Sequence, residues 1–318
     1  MSAAPRYILD GTTVGTSRGA HDAHLQRDVL LKPWWSAADR DALRRIIASV
    51  AGLQNKHIAD VYDLVEMNPG NGLAIVEERL TGSDLATWDS STSRNEGEVL
   101  RVLLQMTGAV AALHSYGLSA PSLEAGHWRF DADGLLNLSV FVASPSGRGG
   151  VIPLQLTEAR RAEDVRYLAA YAKQRATRHF AGPTIVPALS DPMLRELWQG
   201  APSGAYALDA YHQRLHACVV RDQHRAMVVY RQRPMELSAK NRALTLTHPA
   251  EGVAKATISY DGITFVIKPT GEAYLNNVPI SAPTQMPNSC ILTLGAPTRS
   301  WAERHFITFD ASQPEVVF

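Results

Sequence analysis

Apolar positions recur at two different periods along this chain, and the change of period divides it. Up to about residue 221 strand-like and helix-like stretches alternate, whereas beyond it only short strand-like pieces remain. Residues 7–31 read as short strands broken by a Gly/Thr/Ser-rich turn and ending in Val29-Leu30-Leu31 before Lys32. Between Ser36 and Leu53, the residues Leu43, Ile46, Ile47 and Val50 fall three and four apart, which is one helical face with Ser36 at its start. Two strand-like pieces, 57–67 and 72–80, flank a turn at Asn68-Pro69-Gly70-Asn71. Residues 96–114 predict the clearest helix: Val99, Leu103, Met106, Val110 and Leu113 share a stripe, and Gly117 sits just past its end.

The later pattern is less regular. Residues 126–142 read as a hairpin turning at Asp131-Ala132-Asp133-Gly134, and 143–150 as a Ser/Gly/Pro-rich loop. Helical segments follow near 157–177, 190–199 and 205–221. From about residue 226 come seven short strands, at 227–230, 243–247, 256–260, 263–268, 273–275, 290–294 and 305–309. Short strands spaced by turns over about ninety residues predict an all-β sandwich.

Composition narrows the class without naming a chemistry. The 318 residues are 45% hydrophobic and 19% charged, ordinary for a folded protein and long enough for two cores. Lys+Arg and Asp+Glu are 31 each, so no global field recruits nucleic acid or an anionic membrane. Cys218 and Cys290 have no CxxC partner and no metal-type spacing, which fits a reducing compartment, with a single disulfide left open. The opening Met-Ser-Ala-Ala-Pro-Arg-Tyr has no apolar signal core, and no run reaches the length of a membrane span. The expectation is a soluble cytoplasmic protein, and the weight of Ala and Arg fits a GC-rich bacterial genome.

Residues 116–142 carry the informative motif, and they do so in the company of earlier ones. Arg27-Asp28-Val29-Leu30-Leu31-Lys32 looks like a strand whose lysine holds nucleotide phosphates, and 36–53 looks like the helix that partners it. The stretch from Gly72 to Leu85 resembles the strand and hinge that follow, with Glu77 near the back wall of a pocket. Taken in order through residue 221, these elements resemble a bilobal protein kinase, with a small lobe over about 1–81 and a large lobe over 82–221. The resemblance also shows which chemical residues are gone. The catalytic base falls on Ser122, in Ala120-Pro121-Ser122. The metal-binding asparagine and aspartate fall on His127 and Val140, and the glutamate that orients the lysine falls on Ile46. Gly11–Gly19 lacks the family's glycine spacing, the activation segment before Asp164 is short, and Glu163-Asp164-Val165-Arg166 resembles the helix that anchors the catalytic loop. Phosphoryl transfer is positioning plus charge neutralisation, so loss of base and metal ligands together implies a pseudokinase.

Residues 262–280, with Ile291–Gly295 and Phe306–Asp310, look like the later strands of a forkhead-associated (FHA) domain. Matching that family puts Gly252 at its phosphate-binding serine and Gly271 at its asparagine, and no Gly-Arg supplies its arginine. The expected fold is therefore α+β: a bilobal kinase-like domain over 1–221, then an FHA-like β-sandwich over 222–318. The expected function is binding rather than turnover, as a signalling scaffold or allosteric regulator. Its partner would be a protein such as a kinase, a phosphatase or a component of a secretion-type assembly. Two alternatives stay open: an atypical phosphotransferase binding ATP, and a phosphothreonine-peptide reader built on the β domain. No cofactor and no metal are expected; ATP is the one ligand the resemblance admits, with Lys32 as a vestigial contact. His21-Asp22-Ala23-His24 reads as a turn, Asp131 and Asp133 as turn formers, and Arg160, Arg161 and Arg166 as a wet helix face. Trp34-Trp35 reads as packing or as a partner anchor.

Overall fold

The computed structural model describes residues 6–34, 40–53, 55–67, 72–90, 94–143, 150–179 and 208–312, with positions 314 and 316. The chain divides into two compact units, 1–215 and 216–317. The first is mixed α and β, with an antiparallel sheet and helices, and the second is built from β-sheets. The Ser36 helix start, Trp35, the Asn68–Asn71 turn and the helix expected at 190–199 lie outside the described residues. Among the described residues no helix is long and apolar enough to cross a membrane.

The first unit opens with β1 (Tyr7–Val14), β2 (Ser17–Asp22) and β3 (Arg27–Trp34), followed by α1 (Arg40–Ala51), β4 (Val61–Glu66) and β5 (Leu73–Glu78). The strands form one antiparallel sheet in the order β1-β2-β3-β5-β4. Strand β5 is buried along most of its length because both faces of the sheet are covered there. One face carries Ala20, Val29, Leu31, Ala74 and Val76 as a small core. By the two-residue alternation of strands, Leu30, Lys32, Ile75 and Glu77 point to the other. Leu43, Ile47 and Val50 of α1 are buried, as the three-and-four spacing predicts.

A second group packs around α3 (Glu96–Ser115), whose Val99, Leu103, Met106, Val110 and Leu113 are all fully buried. Asn95 caps it: its side chain accepts from the Glu98 N–H at 2.9 Å while Glu98 accepts from the Asn95 N–H at 2.9 Å. The antiparallel pair of β6 (Leu118–Ser119) with β11 (Leu154–Gln155) and the hairpin of β7 (Trp128–Phe130) and β8 (Leu136–Leu138) lie against it, while β9 (Val142–Ala143), paired with β10 (Gly150–Val151), meets β3. The β7–β8 turn is held by Asp131, which accepts from the N–H groups of Asp133 and Leu135 at 2.9 and 2.8 Å. Gln105 of α3 accepts from the Leu136 N–H at 2.7 Å, and Trp128 donates to the Leu123 carbonyl at 3.0 Å. Gly82 lies so close to this hairpin that a Cβ would sit 2.6 Å from the Phe130 oxygen, so only glycine fits. Helices α2 (Leu85–Ser90) and α4 (Glu158–His179) are tied by Asp89, which accepts from Tyr171 at 3.0 Å and pairs with Arg175 at 2.8 Å. Leu208, Tyr211 and Leu215 of α5 (Leu208–Val219) are buried, and the Thr107 hydroxyl meets His212 at 2.8 Å.

Among the described residues the second unit holds ten strands: β12 (Ala226–Tyr230), β13 (Arg233–Leu237), β14 (Ala243–Thr247), β15 (Ala254–Tyr260), β16 (Phe265–Pro269), β17 (Ala273–Leu275), β18 (Val278–Pro279), β19 (Thr284–Gln285), β20 (Ser289–Leu294) and β21 (His305–Ala311). They form a six-stranded sheet, β13-β12-β21-β20-β17-β18, and a four-stranded one, β14-β15-β16-β19. Val228, Leu292, Ile307 and Phe309 from the first share a single core with Leu246, Ile258, Phe265 and Ile267 from the second, which makes the unit a sandwich. Strand β13 was not expected from the sequence, and its chemistry explains why. It is an edge strand with Pro234 in it and only Leu237 buried, so it shows no alternation. Its turn, Arg231-Gln232, takes positive φ at both residues without glycine. Cys290 lies in this core, where burial pushes its thiol up to about 11.

His57 supplies a test of how the first unit is held. It is buried, its ring meets the Leu136 carbonyl at 3.2 Å, and burial holds its imidazole at about 4 against an ordinary 6.5. Below pH 6.5 the unfolded chain takes up a proton that the folded chain refuses, so this contribution is present above that pH and is lost as pH falls toward 4. Over that window it amounts to roughly 3 kcal/mol. Thermal denaturation of His57→Gln is therefore expected to lose less stability between pH 6.5 and 4 than the native chain does; equal slopes would remove His57 as the cause.

Candidate functional site

A cleft of about 330 Å³ opens on the first unit. Its roof is the β1–β2 turn, its back wall Leu30, Lys32 and Glu77, and its floor His127 and the segment 139–142. Gly15, in that turn, has a φ of +59°, which leaves the turn tight and without a side chain over the opening.

The register of β3 on β5 builds the back wall. Leu30 pairs with Glu77 and Lys32 with Ile75, so Lys32 and Glu77 are diagonal neighbours on one face, within reach of long side chains. Their head groups form an ion pair, with side-chain exposures of 8% and 2%. The Lys32 ammonium also donates to the Ser139 hydroxyl and, at 2.9 Å, to the Phe141 carbonyl. Ser139 in turn donates toward Glu77, at 2.9 Å to Oε1 and 3.1 Å to Oε2. An ammonium has three hydrogens, and here three acceptors meet them. Burial pushes the Glu77 carboxyl above its ordinary value, and the Lys32 charge and the Ser139 hydroxyl pull it back.

The other permanent cations of the cleft are also occupied. Arg79 pairs with Asp10 of β1. Arg129 donates to the Gly82 carbonyl at 2.7 Å and lies 3.9 Å from Asp84. Each of these cations therefore has a carboxylate of the chain's own nearby. His127 faces the same cleft, and its burial, with Lys32 adding to the effect, lowers its pKa.

The residues singled out from the sequence fall in two places. Lys32, His127 and the 139–142 segment meet in the cleft, where Ser139 and Phe141 line the wall and Val140 is fully buried beside them. Ser122 opens instead onto a separate recess of about 250 Å³, with Pro121, Glu124, Arg160, Glu163 and Asp164. Asp164 is held under that recess by His114, at 2.8 Å from Nε2. Ile46, on α1, is half-buried, and the lysine's carboxylate comes from β5. Sequence reasoning placed Glu77 at the back wall but missed its pairing and missed Ser139. The one available signal was a lysine and a glutamate each embedded in an otherwise apolar strand.

Elsewhere the charged residues are engaged locally. Asp22 pairs with Arg6 at 2.9 Å and accepts from the His24 and Leu25 N–H groups, while His21 meets Asp28 at 3.0 Å, so the His-Asp-Ala-His motif is a braced turn. In the second unit, Gly252 and Gly271 stand beside Glu251 and Glu272. Arg299 bridges those two acids at 2.5 and 3.0 Å, and Lys255 reaches Glu251 at 2.6 Å. Hydrogen bonds from Lys255 and then Arg299 lower the Glu251 carboxyl to about 2.

No protein-family model matches this chain, and no curated protein matches it. Among the solved structures it resembles is the crystal structure of the yeast RNA polymerase II CTD kinase complex CTDK-1, at 11% identity and a TM-score of 0.38. The match covers 50% of this chain and 49% of that one, so the chain spans about half the length of its relative.

The back wall yields a direct prediction. Lys32→Met leaves the Glu77 carboxylate buried without its cation and is expected to cost about 3–5 kcal/mol in urea denaturation. Lys32→Met combined with Glu77→Leu is expected to recover most of that loss, because a buried pair replaced by apolar groups of similar volume is close to neutral. Additive losses in the double variant would mean that the two side chains do not act as a pair.

Proposed function

We propose that this protein is a catalytically silent, kinase-like signalling module that works by binding other proteins, with an FHA-like sandwich appended. The observation that carries the reading is the neutralised cleft. A phosphotransfer site keeps a lysine, a base and metal-holding oxygens available to the nucleotide. At the corresponding positions this chain has a lysine engaged on all three hydrogens, together with Ser122, His127 and Val140. Ser122 does not supply a carboxylate base, and the valine at 140 is a packing residue. The order of strands, helix, strands and helices over the first unit supports the kinase-like part of the reading, as does the buried Asp164, which lines one recess with the 119–124 segment. The six- and four-stranded sandwich supports the FHA-like part.

A phosphothreonine reader has less behind it. Phosphate recognition needs charge-assisted donors with open hydrogens, and Arg299 and Lys255 are both held by Glu251. The favoured partner is thus a protein recognised through its surface, of the class a scaffold brings to a kinase, a phosphatase or a secretion-type assembly.

The reading is tested by the melting temperature of the full chain with ATP in the presence of Mg²⁺, Mn²⁺ or a chelator. A ligand that binds only the folded state raises it by mass action. No shift is expected in any condition, and no label is expected to pass from γ-labelled ATP to the protein or to a generic acceptor. A metal-dependent shift with transfer of label would replace this reading with the phosphotransferase one.

A further inference from the structure

We propose that the Glu77 carboxylate is a built-in anion, holding the position at Lys32 that a bound phosphate would otherwise take and so closing the cleft to phosphate-bearing ligands. The inference rests on the kinase-like, non-catalytic reading and adds the residue that keeps the cleft empty of nucleotide. Four observations converge on it. Lys32 faces the cleft, not the small apolar core on the opposite face of the sheet. Its three hydrogens meet Glu77, Ser139 and the Phe141 carbonyl, so none is left to donate to a ligand oxygen. Glu77 reaches it only because the β3–β5 register makes the two diagonal neighbours, and the Ser139 hydroxyl, itself bonded by Lys32, turns its one hydrogen toward the Glu77 carboxylate. Arg79 and Arg129 lie near Asp10 and Asp84. An incoming phosphate would therefore meet cations that already have counter-charges of the chain's own.

An ion pair is a costly way to fill such a wall. Two apolar residues of similar volume fill it without taking two charges out of water. What the pair adds is a counter-charge already seated on the one cation of the back wall that a phosphate would need. The space itself is no obstacle, since about 330 Å³ is within the range of small-molecule pockets.

Glu77→Gln removes the charge and keeps the shape. Melting temperatures are measured for the native chain, for Glu77→Gln and for Lys32→Met/Glu77→Gln, in inorganic phosphate, in ATP with chelator, and in sodium chloride at matched ionic strength. The proposal expects Glu77→Gln alone to gain, with a rise of about 3 °C or more in saturating phosphate or ATP. It expects no such gain in the native chain or in the double variant. If Glu77→Gln does not fold in chloride, refolding yield replaces melting temperature, and recovery in phosphate but not in chloride supports the proposal. A folded Glu77→Gln with no phosphate-specific gain overturns it, as do equal gains in the double variant or equal refolding failure in both salts. Phosphate or ATP stabilising the native chain also overturns it. Transfer of label from ATP is what overturns the non-catalytic reading, so the two fail on different measurements.

Discussion

A lysine ammonium taken out of water demands a counter-charge and three hydrogen-bond acceptors, and the first unit is arranged to bring these to Lys32 from three separate stretches of chain. Glu77 comes from β5, while Ser139 and the Phe141 carbonyl come from the segment that follows β8. The network therefore depends on the strand register and on the seating of 139–141 against the sheet. A one-residue slip of β3 against β5 would turn Lys32 into the small apolar core and move it off the face that holds Glu77. A buried pair of this kind is weak evidence for added stability, because the desolvation of both groups offsets their attraction. What such a pair contributes is a penalty on wrong arrangements, since a register or seating that parts the two leaves a buried charge unmatched.

The same logic recurs at the other charged places in the molecule. In the first unit Arg6 holds Asp22 and Asp63, Arg175 holds Asp89, and His114 meets Asp164. In the second, Arg299 joins Glu251 to Glu272 across the loops that carry Gly252 and Gly271. Cations that would serve a ligand are in each case next to an acid of the same chain. On the proposed reading this separates the molecule from an enzyme, whose site stays under-satisfied until substrate arrives.

Much of this architecture was legible in the sequence, and what was missed has physical causes. Helix α3 follows the 3.6-residue period closely, so its core could be read off directly, α4 was legible as a helical stretch, and the β7–β8 turn announced itself through Asp131 and Gly134. The inner strands of the six-stranded sheet, such as β12 and β20, show the alternation that burial of one face imposes. Strand β13 does not, because an edge strand buries little, and its Arg231-Gln232 turn lacks the glycine by which such turns are recognised. The cleft was half visible. Lys32 and Glu77 were each placed on its wall, but their pairing is a property of register between strands 45 residues apart, which local pattern does not encode. Ser139 was invisible for the same reason: a small polar residue beside a packed Val140 and Phe141 carries no signal until the lysine is seen to face it.

The buried Val140 and the Lys32–Glu77 pair belong to one physical arrangement. A carboxylate at position 140 would need a metal ion or a cation to be tolerated beside Phe141 in a fully buried place. With valine there the segment packs as core, which fixes the Phe141 carbonyl and the Ser139 hydroxyl at the lysine. Lys32 would then lie buried with acceptors but no counter-charge, a costly state. Glu77, one diagonal step away on the neighbouring strand, relieves it without backbone rearrangement. With an apolar residue at 140, the counter-charge for Lys32 comes from Glu77, and the two together leave the back wall without net charge. On the proposed reading, the pair is what lets the sheet and the lysine be kept without the chemistry they resemble.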